Sequence, residues 1–297
     1  RSCLTPLLSL RGGIAGDFTI TKTAEDAYFM IGSGIAERYH KRYFNAVPIT
    51  EGVVVQSVTH DYCGFNIAGP KAREVLSALT DVDLSGDAFR FMRSQSVSVA
   101  GIDSLILRVS FTGDLGFEIY FPADRHLDML EAILSAGQIH GIKPVGSRSL
   151  LSLRVEKGYG SWGREYSPEY WPQEVAMERL IKLEDKGDFL GRKGYEAIKD
   201  NPPRERLVQW TVQTTPGLAG ADASGGEPVF LPDGTPVGRI SSGAFGWSVD
   251  SSVALGFVKA DHYRPGETYH VAILGEPHEA ILQAKPVFDP DGLRLRG

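Results

Sequence analysis

Two carboxylates stand in settings that suit them for chemistry. Asp17 ends the run Arg11-Gly12-Gly13-Ile14-Ala15-Gly16-Asp17, ahead of Phe18-Thr19. Three glycines allow a close backbone approach, so a ligand amine can reach an acid at the mouth of the strand that follows. A solvated turn aspartate fits the same pattern. Glu118 lies in Ser110-Phe111-Thr112-Gly113-Asp114-Leu115-Gly116-Phe117-Glu118-Ile119-Tyr120, where strand alternation turns it away from Phe117 and Ile119. On that face it is either exposed to water or buried against a partner, because an unpaired buried carboxylate is costly.

Other chemistries lack their residues. Gly32-Ser33-Gly34-Ile35-Ala36-Glu37 imitates a dinucleotide-binding turn, but the third glycine is missing. The next β run also begins, rather than ends, with an acid, at Glu51-Gly52, so the segment reads as a strand-to-helix turn. His60, Asp61 and Cys63 alternate along a strand and so point to opposite faces, with no second ligand pair at metal spacing elsewhere. The seven histidines are scattered and no G-x-S-x-G elbow occurs.

The elements that must position the two acids follow from apolar spacing. Strands are expected at 17–22, 27–31, 52–58 and 62–67, with a helix at 34–43. Gly69-Pro70 opens a second helix carrying Val75, Leu76 and Leu79. Strands at 96–99, 104–110 and 117–121 come next, then a helix from Asp124 to about Ala136 with Asp124 as its N-cap. A further helix at 146–156 sets Leu150, Leu153 and Arg154 on one stripe. Pro202-Pro203 can continue neither a helix nor a central strand, which places a boundary near 203. Beyond it, short β runs at 207–213, 227–231, 236–242, 252–258, 268–273 and 279–284, with an Asp233-Gly234 turn, predict a small barrel or sandwich.

The 297 residues carry 31 Lys+Arg against 37 Asp+Glu, with 42% hydrophobic residues. At about 150 residues per domain, this is two or three domains of an ordinary globular protein. A net charge of -6 without any basic cluster argues against a nucleic-acid partner. No apolar run approaches the roughly 18 residues of a membrane span. Two cysteines build no disulfide framework and no Asn-x-Ser/Thr site occurs. A reducing compartment is therefore expected, the cytoplasm or, in a eukaryote, the mitochondrial matrix.

Five segments, in order, resemble one family. Arg11–Thr19 resembles its G-D-F-T segment, Phe65–Leu76 its L-x-G-P-x-A-x-x-V-L, and Ser110–Glu118 its G-Y-T-G-E-x-G-x-E. GSRSLLSLRVEKGYGSWG at 146–163 resembles R-A-L-D-S-L-R-L-E-K-G-Y-x-x-W-G, and Asp188-Phe189-Leu190-Gly191-Arg192 resembles D-F-I-G-K. A sixth, looser match is Ser241–Val258. On these segments the chain is similar to the glycine cleavage T protein (aminomethyltransferase) superfamily, and most of all to the folate-binding C-terminal portions of dimethylglycine and sarcosine dehydrogenases.

The resemblance implies an α+β, aminomethyltransferase-like folate-binding fold. Residues 1–66 would be the remainder of a first α/β portion, 67–203 a second, and 204–297 a C-terminal β-barrel. It implies a long family segment ahead of the one matching Arg1, so that Arg1–Leu10 would lack sheet partners if that segment were absent. The cofactor would be tetrahydrofolate, accepting one carbon from an N-methylglycine-type amine, with a flavin (FAD)-dependent oxidase domain or chain as partner. Asp17 would act at the reacting nitrogen as base or electrostatic anchor, and Glu118 would hold the pterin N–H groups. Trp162 would stack on a ring of the ligand or pack in the core. Arg154 would hold the folate carboxylates or lock the two halves together. Tyr159, a further cofactor-binding candidate, and Arg148 carry the branch signature. Departures are Gly32-Ser33-Gly34 for the family's N-A-G, Leu151 for an acid, and Gln173-Glu174-Val175-Ala176-Met177 for E-A-G-L. Two other readings stay open. One is a true glycine-cleavage T protein with a lipoyl carrier. The other is a non-catalytic folate-binding or regulatory protein, whose K-G-C-Y signature is Lys157-Gly158-Tyr159-Gly160 here.

Overall fold

A computed structural model describes residues 1–46, 51–184, 187–214 and 220–297. The chain first forms an antiparallel sheet of β1 (Ser2–Leu8), β2 (Ile14–Lys22) and β3 (Tyr28–Ile31), in that order. The expectation that Arg1–Leu10 lacks sheet partners is corrected here. β1 pairs with β2 from Ser2 opposite Thr21 to Leu8 opposite Ile14, because Cys3-Leu4-Thr5 and Leu7-Leu8 are extended-chain formers tied back through a tight turn at Gly12. A single-turn 3-10 segment at Gly34–Ala36 leads into α1 (Glu37–Ala46).

The expected strand at 52–58 does not form. Val53, Val54 and Val55 are 55%, 85% and 48% exposed, and among the described residues no strand lies alongside to take their ladder bonds. Apolar composition marked the run, but a strand also needs a neighbour.

The second sheet has the order β4-β7-β6-β5, from β4 (Tyr62–Ala68), β5 (Ser94–Val99), β6 (Ile102–Leu107) and β7 (Gly116–Pro122). The expected division between 66 and 67 falls inside β4, which pairs along its whole length with β7. Phe117, Ile119 and Phe121 of β7 face a core completed by Val75 and Leu76 of α2 (Ala72–Ser77) and Met129 and Ile133 of α3 (His126–Gly137). Asp124 does not cap α3. It lies in a 3-10 turn, and Arg125 occupies the cap position without a side-chain bond, since Pro122 fixes the chain early and starts the turn ahead of Asp124.

After α4 (Ser147–Glu156) and α5 (Arg192–Ile198), six strands close a barrel in the order β10-β11-β8-β13-β12-β9. They are β8 (Glu205–Val212), β9 (Pro228–Phe230), β10 (Pro236–Gly246), β11 (Ser251–Lys259), β12 (Thr268–Ile273) and β13 (Glu276–Gln283), and α6 (Leu293–Arg296) follows. Trp210, Val229, Val237, Tyr269 and Val271 fill the interior. β10 carries a bulge: Ile240 pairs with Gly256 but Ser242 with Leu255, so Ser241 is the extra residue.

The barrel is tied to α4 by Gln209. Its amide donates to the carbonyls of Val155 (2.6 Å) and Glu156 (3.0 Å) and accepts from the Val287 amide (2.8 Å). Lys157 adds a buried ion pair with Asp289 at 2.9 Å.

Candidate functional site

Asp17 sits in the middle of β2 opposite Pro6. Its Oδ1 is buried and bonded to nothing, and burial pushes its pKa up to about 6, with its own backbone amide pulling weakly the other way. A carboxyl poised there exchanges a proton near neutrality, which is what a general base or acid needs. Its negative charge lies near Tyr166, whose hydroxyl is pushed up, first by burial and then by Asp17. Tyr166 is held by a bridge to Trp162 and by the missing side chain of Gly160, where a Cβ would lie 2.8 Å from its hydroxyl.

Glu118 lies on β7 opposite Asn66. Burial raises its pKa, opposed by the Tyr120 hydroxyl, which donates to Oε2 at 2.8 Å. The pairing is local: residues two apart on a strand share a face. Tyr120 in turn is pushed up by burial and by Glu118.

A cavity of about 290 Å³ opens between the β2–β3 hairpin and the β4–β7 edge. Phe18, Phe29, Tyr62 and Tyr120 line it together with His40 of α1. Phe29 meets Tyr62 and Tyr120 at 5.4 Å each, and Phe18 meets His40 edge-on at 4.7 Å. The two carboxylates are not part of that lining. Each is next to it, Glu118 through Tyr120 and Asp17 through its chain neighbour Phe18. A larger cavity of about 560 Å³ lies between β4, α3, α4 and Phe288 and Arg294 of the C-terminal tail. Gly64 borders both cavities, and a Cβ there would come within 2.8 Å of the Tyr120 ring.

The other expected site residues have protein partners. Arg154 is 1% exposed and pairs with Glu165 at 3.0 Å. It also donates to the Tyr159 carbonyl (2.9 Å) and Ser242 (2.7 Å). Glu165, fully buried, further accepts from the Ser161 amide at 2.9 Å and from both Ser241 and Ser242 at 2.6 Å. Neighbouring serines reach one carboxylate because the bulge at Ser241 breaks strand alternation. This arrangement fits the lock between halves better than a folate contact. Trp162 packs against His40 at 5.0 Å and Tyr39 at 5.7 Å, and Tyr159 stacks on Phe111 at 6.5 Å. Arg148 lies on the first turn of α4. His40, Tyr120, Glu165 and Tyr166 escaped the sequence reading. Only Tyr120 had a readable signal, the Glu-x-Tyr spacing on one strand face.

Among the described residues no group of acids, histidines and cysteines could hold a metal ion. No helix there is long and apolar enough to cross a membrane.

Residues 1–185 match the GCVT N-terminal domain, and residues 206–289 match the glycine cleavage T-protein C-terminal barrel domain. The chain belongs to the glycine cleavage T-protein family. Mouse mitochondrial dimethylglycine dehydrogenase is 30% identical over 295 residues, covering 99% of this chain and 33% of that protein. The 4-methylaminobutanoate oxidase (formaldehyde-forming) of Paenarthrobacter nicotinovorans is 30% identical, with 100% and 35% covered. The chain thus spans about a third of the length of these relatives. An aminomethyltransferase of Natranaerobius thermophilus is 30% identical over 284 residues, covering 96% of this chain and 76% of its own. The structure of the glycine cleavage system aminomethyltransferase from Bartonella henselae superposes with a TM-score of 0.83 at 24% identity, over 98% of this chain and 76% of that one. That likeness shows a shared aminomethyltransferase fold, which in this chain comprises the two α/β sheets and the closed six-stranded barrel.

Proposed function

We propose that this glycine cleavage T-protein family chain transfers a one-carbon unit from a methylated amine to tetrahydrofolate, working beside a flavin-dependent oxidase domain or chain. The observation that carries the reading is the pair of half-buried carboxylates with acceptor capacity to spare. Asp17 Oδ1 has no partner, and Glu118 commits Oε2 to Tyr120 while Oε1 takes no donor among the described residues. A reduced pterin offers an amino group and ring N–H donors, so its donor set fits these acceptors.

Tetrahydrofolate, when bound, supplies the nucleophilic nitrogen that takes the carbon. Glu118 holds the pterin edge, with the Tyr120 hydroxyl fixing the carboxylate's orientation. Asp17, with a pKa of about 6, is largely ionised at neutral pH. Its Oδ1 takes the proton that the reacting nitrogen sheds as the new carbon–nitrogen bond forms. Water kept from Oδ1 preserves that basicity. Names of the methylated-amine enzymes among the relatives support the donor class, while the aminomethyltransferase relative supports a second reading, in which the carbon arrives on a carrier.

Anaerobic calorimetric titration with tetrahydrofolate tests the proposal. Saturable binding is expected, with Glu118→Ala weakening it at least tenfold and Asp17→Ala leaving it within threefold. One-carbon transfer by the complete protein is expected to fall at least a hundredfold in Asp17→Ala. Absence of binding to the native chain, or equal loss in both variants, would overturn the assignment of roles.

A further inference from the structure

We infer that Asn66 reads the ring position next to the N–H groups that Glu118 holds, donating from its carboxamide to an oxygen there. It thereby selects a 2-amino-4-oxo ring over a 2,4-diamino one. The inference rests on the reading of Glu118 as the pterin-binding acid and adds a specificity-determining residue to it.

The register of the β4–β7 pair carries the argument. Asn66 lies directly opposite Glu118. Directly opposed residues of an antiparallel pair stand on one face of the sheet, with Cβ atoms about 5 Å apart. On its other flank Glu118 pairs with Leu107, which is apolar and fully buried. Two residues away along β7, Gly116 has no side chain, and the Tyr120 hydroxyl is already committed to Glu118 Oε2. The diagonal neighbours on β4 are Gly64 and Ala68. Asn66 is thus the one uncommitted polar side chain among the sheet neighbours of the acid. It is exposed, and its carboxamide makes no hydrogen bond among the described residues. It borders the 560 Å³ cavity, with Gly64 and Ala68 beside it.

A reduced pterin presents along one edge, in order, the 2-amino group, the N3–H and the C4 oxygen. That is two donors and then an acceptor. A carboxylate only accepts, so Glu118 suits the two donors and repels the oxygen. The third position calls for a donor, and the β6 side, closed by Leu107, offers none. The edge therefore runs toward β4, where Asn66 stands. Its amide can turn either end to a ligand, and the charge opposite decides which. An ionised Glu118 repels Oδ1 and draws the amide N–H groups to its own side, so the donor end meets the C4 oxygen. An amino group at position 4 would set donor against donor, the kind of mismatch that makes polar recognition selective.

The test is anaerobic calorimetric titration of the folded chain at pH 8 with tetrahydrofolate and with tetrahydroaminopterin, which carries an amino group in place of the C4 oxygen. That exchange also removes the proton at N3. Native chain and variant face the same change there, so the ratio of the two affinities isolates the neighbour of position 4. Asn66→Asp can accept but not donate. It is expected to weaken tetrahydrofolate at least tenfold, through one lost hydrogen bond and a carboxylate set against the oxygen, while tetrahydroaminopterin binds as tightly as before or more so. In the native chain, saturating tetrahydrofolate should shift the Asn66 side-chain amide resonance, and thermal melts guard against misfolding of the variant. Equal weakening of both ligands, or an Asn66 amide resonance unmoved at saturation, overturns the inference. Tetrahydrofolate binding that still depends on Glu118 then leaves the folate reading standing. If tetrahydrofolate does not bind the native chain at all, the folate reading falls and the role of Asn66 falls with it.

Discussion

The barrel and the β1–β3 sheet are built on opposite principles. Six barrel strands close on themselves, so every edge is paired and the interior is fully buried. The β1–β3 sheet has three strands and two open edges, and β3 has only four residues. It completes its core with segments from elsewhere, such as Tyr170, whose carbonyl accepts from the Ile14 amide at 3.0 Å. The unpartnered polar atoms Asp17 Oδ1 and His40 Nε2 belong to this open region. The barrel also leaves Trp210 Nε1 and Ser252 Oγ without partners, so the open region differs in what its unpartnered atoms belong to: an acid and an imidazole, groups able to take up a proton.

The largest effect should come from cutting the link between the barrel and α4 with the loop that follows it. Arg154→Ala leaves Glu165 buried without its cation, and loss of about 3–5 kcal/mol is expected in urea denaturation. A loss below 1 kcal/mol would show that the parts stand independently. Within the barrel, Trp210→Ala should cost about 3–5 kcal/mol. The same truncation at the half-buried Phe29 should cost clearly less, and equal costs would erase the distinction drawn here.

Asp17→Asn sharpens the comparison in the other direction. The folded-state pKa of about 6 lies above the ordinary 3.8. Stability is therefore unaffected below about pH 4, falls as pH rises toward 6, and stays reduced above it. Removing the charge should stabilise the chain by about 3 kcal/mol at pH 8, with almost no change at pH 4. Thermal melts at the two pH values check this, and a pH-independent difference would contradict it. The smallest effect is expected at Val54→Thr, within about 0.5 kcal/mol, because that side chain is 85% exposed.

The same division explains what could be read from sequence. Barrel strands announce themselves, since alternation and Gly, Pro and Asp-Gly turns are local signals. All six expected runs overlap observed strands, and 268–273 coincides with β12. In the open region, 52–58 carried strand composition but no partner, and β1 carried a partner that only the hairpin through Gly12 supplies. Asp17 and Glu118 were visible as acids beside glycines. Their burial, the free Oδ1, and the Glu165 cluster were not, because they arise where segments as far apart as 165 and 242 meet. His40 showed no signal at all: a histidine on a polar helix looks exposed until Phe18 and Trp162 close over it.

The bulge at Ser241 works as an inserted tick on a ruler. Deleting Ser241 would restore an unbroken two-residue rhythm to β10 while leaving Ile240 opposite Gly256 and Ser242 opposite Leu255. The barrel would lose nothing it needs to close, yet Glu165 would lose one of the two barrel hydroxyls that donate to it. One surplus residue therefore marks where the barrel stops serving itself and begins to grip its neighbour.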